Sequence, residues 1–311
     1  MIIDMPNTHT SEISQKVDEL HEERGEAATG RVLTLLILTG GTHLEQALET
    51  ANAASREHPC RVIAIVPDTT SDIDPDQDDS NLNAQVRFGA DAGAGEIIIL
   101  RPRNGLIRHQ DTLVMPLLVP DAPIVAWWPT NPPASPLKDP VGAMARSRIT
   151  DAMNSDNPEA TMERLRSALD DSDVDLSWTR LTIWRAMLAS LLDQPPHLPI
   201  IKAKVVGPKN FLPMDLLRAW LRLKLDVPVE METTQEATAI TGVYLTREDG
   251  VLSLVRPDND QTVVSFPGQA PQPVSMPVRS DEDCLSEELR RLEPDDVYAE
   301  VVSTGWDLLY S

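Results

Sequence analysis

Several things are scarce in this chain, and each shortage closes off a class of protein. Cysteine occurs twice in 311 residues, at Cys60 and Cys284. Two cysteines so far apart exclude a disulfide framework and fit a cytoplasmic protein. Positive charge is scarce too: 27 Lys and Arg stand against 49 Asp and Glu, for a net charge of −22. That balance excludes nucleic acid as a partner, since phosphate neutralisation needs Lys and Arg, and it disfavours an anionic membrane surface. There is no apolar run of about eighteen residues, so no membrane span is expected. The opening MIIDMPNTHTSEISQ has neither the basic flank nor the apolar segment of a secretory signal. The six His residues form no HExxH and no Cys/His cluster, so no metal site and no cofactor are expected.

What is present is 41% hydrophobic residues, 26 prolines and a few aromatics in conspicuous places. The most conspicuous is Leu113–Ala134, LVMPLLVPDAPIVAWWPTNPPA. Ile124–Trp128 follows the Asp121-Ala122-Pro123 turn and stops at Pro129, which has no N–H for a central strand. This reads as a buried strand whose carboxyl end carries two indoles, and that end is where open α/β sheets form crevices. Consecutive strand residues point to opposite faces. Trp127 and Trp128 are therefore both core only if both sheet faces are covered; otherwise one faces a crevice or a partner.

Along the chain, residues 1–29 read as a polar tail with a charged helix. Arg31–Thr39, Cys60–Val66, Glu96–Leu100 and Ile124–Trp128 read as strands alternating with helices, an α/β pattern with a parallel, Rossmann-like sheet over 30–152. Residues 153–196 connect by helices: Pro158–Asp170 and a second one from Trp178, capped by Ser177, with Leu181, Trp184, Leu188 and Leu191 as its stripe. Residues 197–311 read as an α+β domain with a mostly antiparallel sheet. Its strands are expected at Ile200–Val206, Val227–Thr233, Ala239–Thr246, Val251–Val255, Thr262–Phe266 and Val297–Val302, with helices at Pro213–Leu225 and after Ser280. Asp249-Gly250 marks a hairpin.

Three motifs resemble ligand sites and fail in detail. Gly40-Gly41 before a helix offers free N–H groups to an anion, but lacks the full dinucleotide fingerprint and a P-loop lysine. Asp72-x-Asp74-x-Asp76-x-Asp78 has Gln77 where a calcium loop needs glycine and Asn83 where it needs the bidentate Glu. Gly89–Gly95 precedes a strand, the reverse of a phosphate-cradling order. The Trp and Arg residues remain. Arg146, Arg148 and Asp151 follow the Trp edge, and Arg180 and Arg185 flank Trp178 and Trp184. Paired arginines suit carboxylate or phosphate recognition, or ion pairs with the many carboxylates. Trp and Arg together are common interface anchors.

The segments HPCRVIAIVP (58–67), GADAGAGEIIIL (89–100), VMPLLVPDAPIVAWWP (114–129), DPVGAMARSRITDA (139–152), DLSWTRLTIWRAMLASLLDQPP (175–196) and CLSEELRRLEPDDVYAE (284–300) resemble the OpcA family of glucose-6-phosphate dehydrogenase assembly proteins. PVRSDED (277–283) departs from it, lacking the family's paired arginines. The resemblance implies a non-catalytic partner that binds glucose-6-phosphate dehydrogenase, promotes its oligomerisation and raises its activity, feeding the oxidative pentose phosphate pathway. On this reading Trp127, Trp128, Pro129, Arg146, Arg148, Asp151, Trp178, Arg180, Trp184 and Arg185 shape the partner-binding surface. Two other readings stay open: a nucleotide or sugar-phosphate sensor or enzyme using the α/β crevice, and a redox switch at Cys60 and Cys284 as against inert thiols.

Overall fold

The computed structural model describes residues 1–24, 31–67, 82–89, 95–257 and 261–310. The Asp72–Asp78 loop and Ala90–Ala94 of the glycine-rich segment lie outside them. In chain order the elements are β1 (Ile2–Met5), α1 (Thr10–Arg24), β2 (Leu33–Leu38), α2 (Leu44–Ala54), β3 (Cys60–Ile65), β4 (Leu82–Phe88), β5 (Glu96–Pro102), α3 (Gln110–Val114), β6 (Ile124–Trp128) and β7 (Ser147–Thr150). There follow α4 (Pro158–Ser167), β8 (Asp173–Asp175), α5 (Leu176–Thr179), α6 (Thr182–Leu192), β9 (Lys202–Gly207), α7 (Leu212–Leu225) and β10 (Val229–Thr233). The last are β11 (Gly242–Arg247), β12 (Gly250–Val255), β13 (Gln261–Ser265), β14 (Gln272–Ser275), α8 (Asp281–Arg290) and α9 (Asp296–Glu300). Two compact units result. One holds residues 1–156, 172–174 and 281–294; the other holds 157–171, 175–280 and 295–311. Among the described residues no helix is long and apolar enough to cross a membrane.

The first unit is built on an eight-stranded sheet in the order β1-β4-β5-β3-β2-β6-β7-β8. β5, β3, β2, β6 and β7 run parallel, while β1 and β4 are antiparallel additions at one margin. The four apolar runs expected as strands form its centre. β2, LTLLIL, and β5 are buried almost throughout, as strands covered on both faces must be. On one face α1 sets Ile13, Val17 and Leu20, spaced four and three apart, against Leu36, Ile63, Val86 and Ile98. α2 covers the other with Ala47, Leu48, Ala51 and Ala54, and α8 packs on α2. The sheet's order reverses at β2, whose chain successor β3 lies on one side and β6 on the other.

One buried carboxylate ties α1 to this sheet. Glu96, with no exposed surface, accepts from His21 Nε2 at 2.6 Å, from Arg31 Nη2 at 3.2 Å and from Arg61 Nε. Arg61 also donates to the Leu117 carbonyl at 2.7 Å. A carboxylate without exposure is tolerated only with such charge-assisted partners.

The second unit is a six-stranded sheet, β10-β9-β11-β12-β13-β14, in which only β9 and β10 pair in parallel. α7 lies on β9 and β10, with Pro213 in its first turn, where a missing N–H costs nothing.

The structure departs from the sequence reading in several places. Ile2–Met5, read as polar tail, is a strand paired with β4. Leu82–Phe88, Ser147–Thr150 and Asp173–Asp175 are further strands, as is Gln272–Ser275 within the proline-rich loop. That last strand lies at the sheet's margin, the place that tolerates Pro273. Val297–Val302, expected as a strand, is instead α9 continued by a π turn over Val301–Gly305. Asp295 caps it, accepting the Tyr298 amide at 2.9 Å. Its buried residues, Tyr298, Val301, Val302 and Gly305, recur at helical spacing. Gly305 sits where an added Cβ would lie 3.0 Å from the Ala219 carbonyl of α7, so any other residue would push the two helices apart by a few tenths of an ångström. α5 is capped by Asp175, which accepts the Ser177 amide at 2.9 Å, rather than by Ser177.

Candidate functional site

The reversal of strand order at β2 fixes where a crevice opens in the first unit: beyond the carboxyl ends of β2 and β6. A cavity of about 180 Å³ lies there. α2 contributes His43, at its cap, and Gln46, Ala47 and Thr50. β6 and its exit contribute Trp127, Pro129 and Thr130, and Asp151, Asn154 and Asp281 close the rim. Among the described residues the buried Trp127 indole N–H has no hydrogen-bond partner. Asp151 is 1% exposed and accepts from Asn154 Nδ2 at 2.8 Å. With two carboxylates and no Lys or Arg among its lining residues, the cavity suits hydroxyl, amide or ammonium groups and repels phosphate.

Trp128 points the opposite way, as alternation requires. It packs with Ala126 and Ala145 under the loop that carries Gly142. A Cβ added at Gly142 would collide with the Pro136 carbonyl and come within 3.0 Å of the Trp128 ring. Both indoles are thus buried, 2% and 4% exposed, because both sheet faces are covered.

The two arginines that follow are in ion pairs. Arg148, buried on β7, donates through Nε to Asp173 Oδ1 at 2.5 Å. Arg146, on the surface, donates to Glu293 Oε1 at 2.7 Å. Neither lines the crevice, and neither does Gly40-Gly41, which makes the tight turn into α2.

The remaining residues gather in the second unit on α5 and α6. Trp178 is 1% exposed; its Nε1 donates to Asp295 Oδ2 at 3.0 Å, and the Arg185 guanidinium lies 3.7 Å from its ring centroid. Tyr298 approaches the same ring at 6.0 Å. Trp184 is buried on α6, with the Arg256 guanidinium 5.1 Å from its centroid. Arg180 and Arg185 are half-buried. Sequence reasoning missed Arg256, Asp295, His43 and Asp281. Each is brought in from a distant segment by tertiary packing, and none carries a local motif.

Both cysteines are buried, and neither forms a disulfide. Burial pushes the Cys60 thiol up to about 12, the behaviour of an inert thiol. Among the described residues no His, Cys, Asp and Glu side chains are grouped to hold a metal ion.

Comparison with known proteins adds the following. Two family models match. The one over residues 51–167 is described as the N-terminal domain of a glucose-6-phosphate dehydrogenase subunit, and the one over 171–302 as the C-terminal domain of such a subunit. A Synechocystis protein described as "Putative OxPP cycle protein OpcA" is 24% identical over 156 residues. That match covers 47% of this chain and 31% of the relative, so the chain aligns with less than a third of the relative's length. Among solved structures, KijD10, a 3-ketoreductase from Actinomadura kijaniata with NADP, superposes with a TM-score of 0.50 at 10% identity, covering 89% of this chain and 96% of that one. An oxidoreductase from Sinorhizobium meliloti gives the same values. At such identity the likeness is one of fold: a Rossmann-like sheet followed by a second, largely antiparallel one. With a matching model over each half of its length, the chain belongs to the OpcA family, whose domains are described as those of a glucose-6-phosphate dehydrogenase subunit.

Proposed function

We propose that this chain is a non-catalytic, cytoplasmic assembly and activator protein that binds glucose-6-phosphate dehydrogenase and promotes its oligomerisation, in support of the oxidative pentose phosphate pathway. The observation that carries this reading is the pair of family models, both described as domains of a subunit of that enzyme. A partner shifts an assembly equilibrium only by binding one state better than another, so the chain needs a surface shaped for the assembled enzyme. In this reading the buried groups Trp127, Trp128, Pro129, Arg148, Asp151, Trp178 and Trp184 set the shape of that surface. Arg146, Arg180 and Arg185, which reach solvent, make the contacts.

The test is size-exclusion of the chain with the dehydrogenase, at low and high salt, alongside Arg185→Ala and Trp128→Ala. Co-elution of the wild type, weakened in both folded variants, supports the reading. No co-elution at either salt concentration defeats it, and normal binding by both variants moves the interface elsewhere.

The crevice supports a second, narrower reading as a small-molecule site. The unpartnered Trp127 N–H beside Asp151 and Asp281 favours a polyhydroxylated or amine-bearing ligand over a phosphorylated one. Thermal shift of the isolated chain with glucose, glucose 6-phosphate and NADP separates these, since a bound ligand raises the melting temperature.

A further inference from the structure

Arg256 is a buried and poorly compensated charge of the second unit. It leaves the end of β12 and is 6% exposed. Among the described residues its side chain donates to the Pro277 carbonyl alone, at a long 3.5 Å, and no carboxylate lies within ion-pair distance. Its Nε is buried without a partner. Burial pushes the guanidinium below the ordinary arginine range. Stacking on Trp184 at 5.1 Å offsets part of that cost, but a cation–π contact is weaker than the desolvation of an unpaired cation.

A second orphan lies beside it. In the β12–β13 ladder Val255 faces Val263. Arg256 is the residue just past that pair, and continuing the antiparallel register by one step sets Thr262 across from it on the same sheet face. Thr262 is fully buried, and its Oγ1 also lacks a partner among the described residues. A guanidinium N–H can only donate and a hydroxyl can donate as well as accept, so one acceptor with two oxygens can take a hydrogen bond from each. Other arginines of the second unit are engaged elsewhere. Arg185 follows Trp184 in α6, and Arg279, two residues past Pro277, donates to the Thr179 carbonyl at 2.7 Å.

We propose that Arg256, stacked on Trp184 and set beside Thr262, is the receptor for an oxyanion, a carboxylate or phosphoryl group supplied from outside the described chain. Such a group replaces the long bond to Pro277 with a fork on the guanidinium. It is carried either by a free small anion or by the surface of the protein partner; only the latter source rests on the function proposed above.

The experiment has two arms. In the first, the isolated full chain is titrated with inorganic phosphate and with acetate, chloride holding ionic strength constant, while tryptophan fluorescence reports on Trp184. A saturable response that is weakened at least about tenfold in Arg256→Met, and less in Arg256→Lys, assigns a free oxyanion. In the second, the same variants are run on size-exclusion with the dehydrogenase. If the isolated chain does not respond but Arg256→Met loses co-elution and Arg256→Lys keeps it, the oxyanion belongs to the partner. If wild type itself fails to co-elute, the function proposed above falls and the first arm alone decides this one. The inference is overturned if neither arm depends on Arg256. Circular dichroism of each variant confirms folding, and should Arg256→Met not fold, Arg256→Lys and Thr262→Val carry the comparison.

Discussion

The indole N–H of Trp178 donates to Oδ2 of Asp295 at 3.0 Å, while Oδ1 of the same carboxylate accepts the Tyr298 amide at 2.9 Å. One side chain thus caps α9 and satisfies a buried tryptophan 117 residues away in sequence. Asp295→Ala removes a cap and orphans an indole N–H. It should destabilise the protein by about 2–4 kcal/mol in urea unfolding. Asp295→Ser, which keeps only the cap, should fall between; equal stability of all three would refute the double role.

Arg148 and Asp173 join β7 to residues 172–174, with side chains 3% and 8% exposed. Removing one partner takes a charge-assisted bond from the other's buried charge. Asp173→Leu and Arg148→Met should each cost roughly 3–5 kcal/mol alone, whereas the two combined should cost far less than their sum. Chemical denaturation of the two single variants and the double one checks this, and strict additivity would contradict it.

Cys60 is fully buried at the start of β3, its thiol pushed up to about 12. A disulfide reagent at pH 8 should label it only as fast as the protein opens, and labelling should accelerate with urea in step with unfolding. Rapid labelling of the folded protein would restore the redox reading.

Asp215 on α7 gives a pH signature. Burial raises its carboxyl above 3.8, against the pull of Arg218. The native state therefore holds this proton more tightly than the unfolded chain does, so the stability it contributes is full below about 3.8 and is lost as pH rises through the elevated value. Asp215→Asn does not titrate. Its stability relative to wild type should increase from pH 3 to pH 7, as urea midpoints at several pH values would reveal. A flat difference would mean the carboxyl is not desolvated.

The centre of the first sheet was legible because LTLLIL, CRVIAI, EIIIL and IVAWW are continuous apolar runs, and only a strand covered on both sides needs that composition. Its margins were not. SRIT and DVD are joined by Arg148 meeting Asp173, an ion pair between segments that no periodicity displays. IIDM is a strand because LNAQVRF offers it a partner. VYAEVV carries β-branched residues that favour a strand, yet the Asp295 cap and the stripe facing α7 decide for helix. At the candidate site, the Trp edge and the crevice beside it could be located from the residues alone. Arg146 and Arg148 were equally consistent with ligand binding and ion pairing. The carboxylates they meet stand 147 and 25 residues away, too far along the chain for any local pattern to reveal.

The backbone passes between the two units at 156/157, 171/172, 174/175, 280/281 and 294/295. On the ribosome, residues 1–156 therefore emerge without the helix that packs on α2. That layer stays uncovered until 281–294 have left the exit tunnel, after nearly all of the other unit has been made. No single break in the gene yields two fragments that each hold one finished body and nothing else, so split halves should work only where the two fragments assemble with each other.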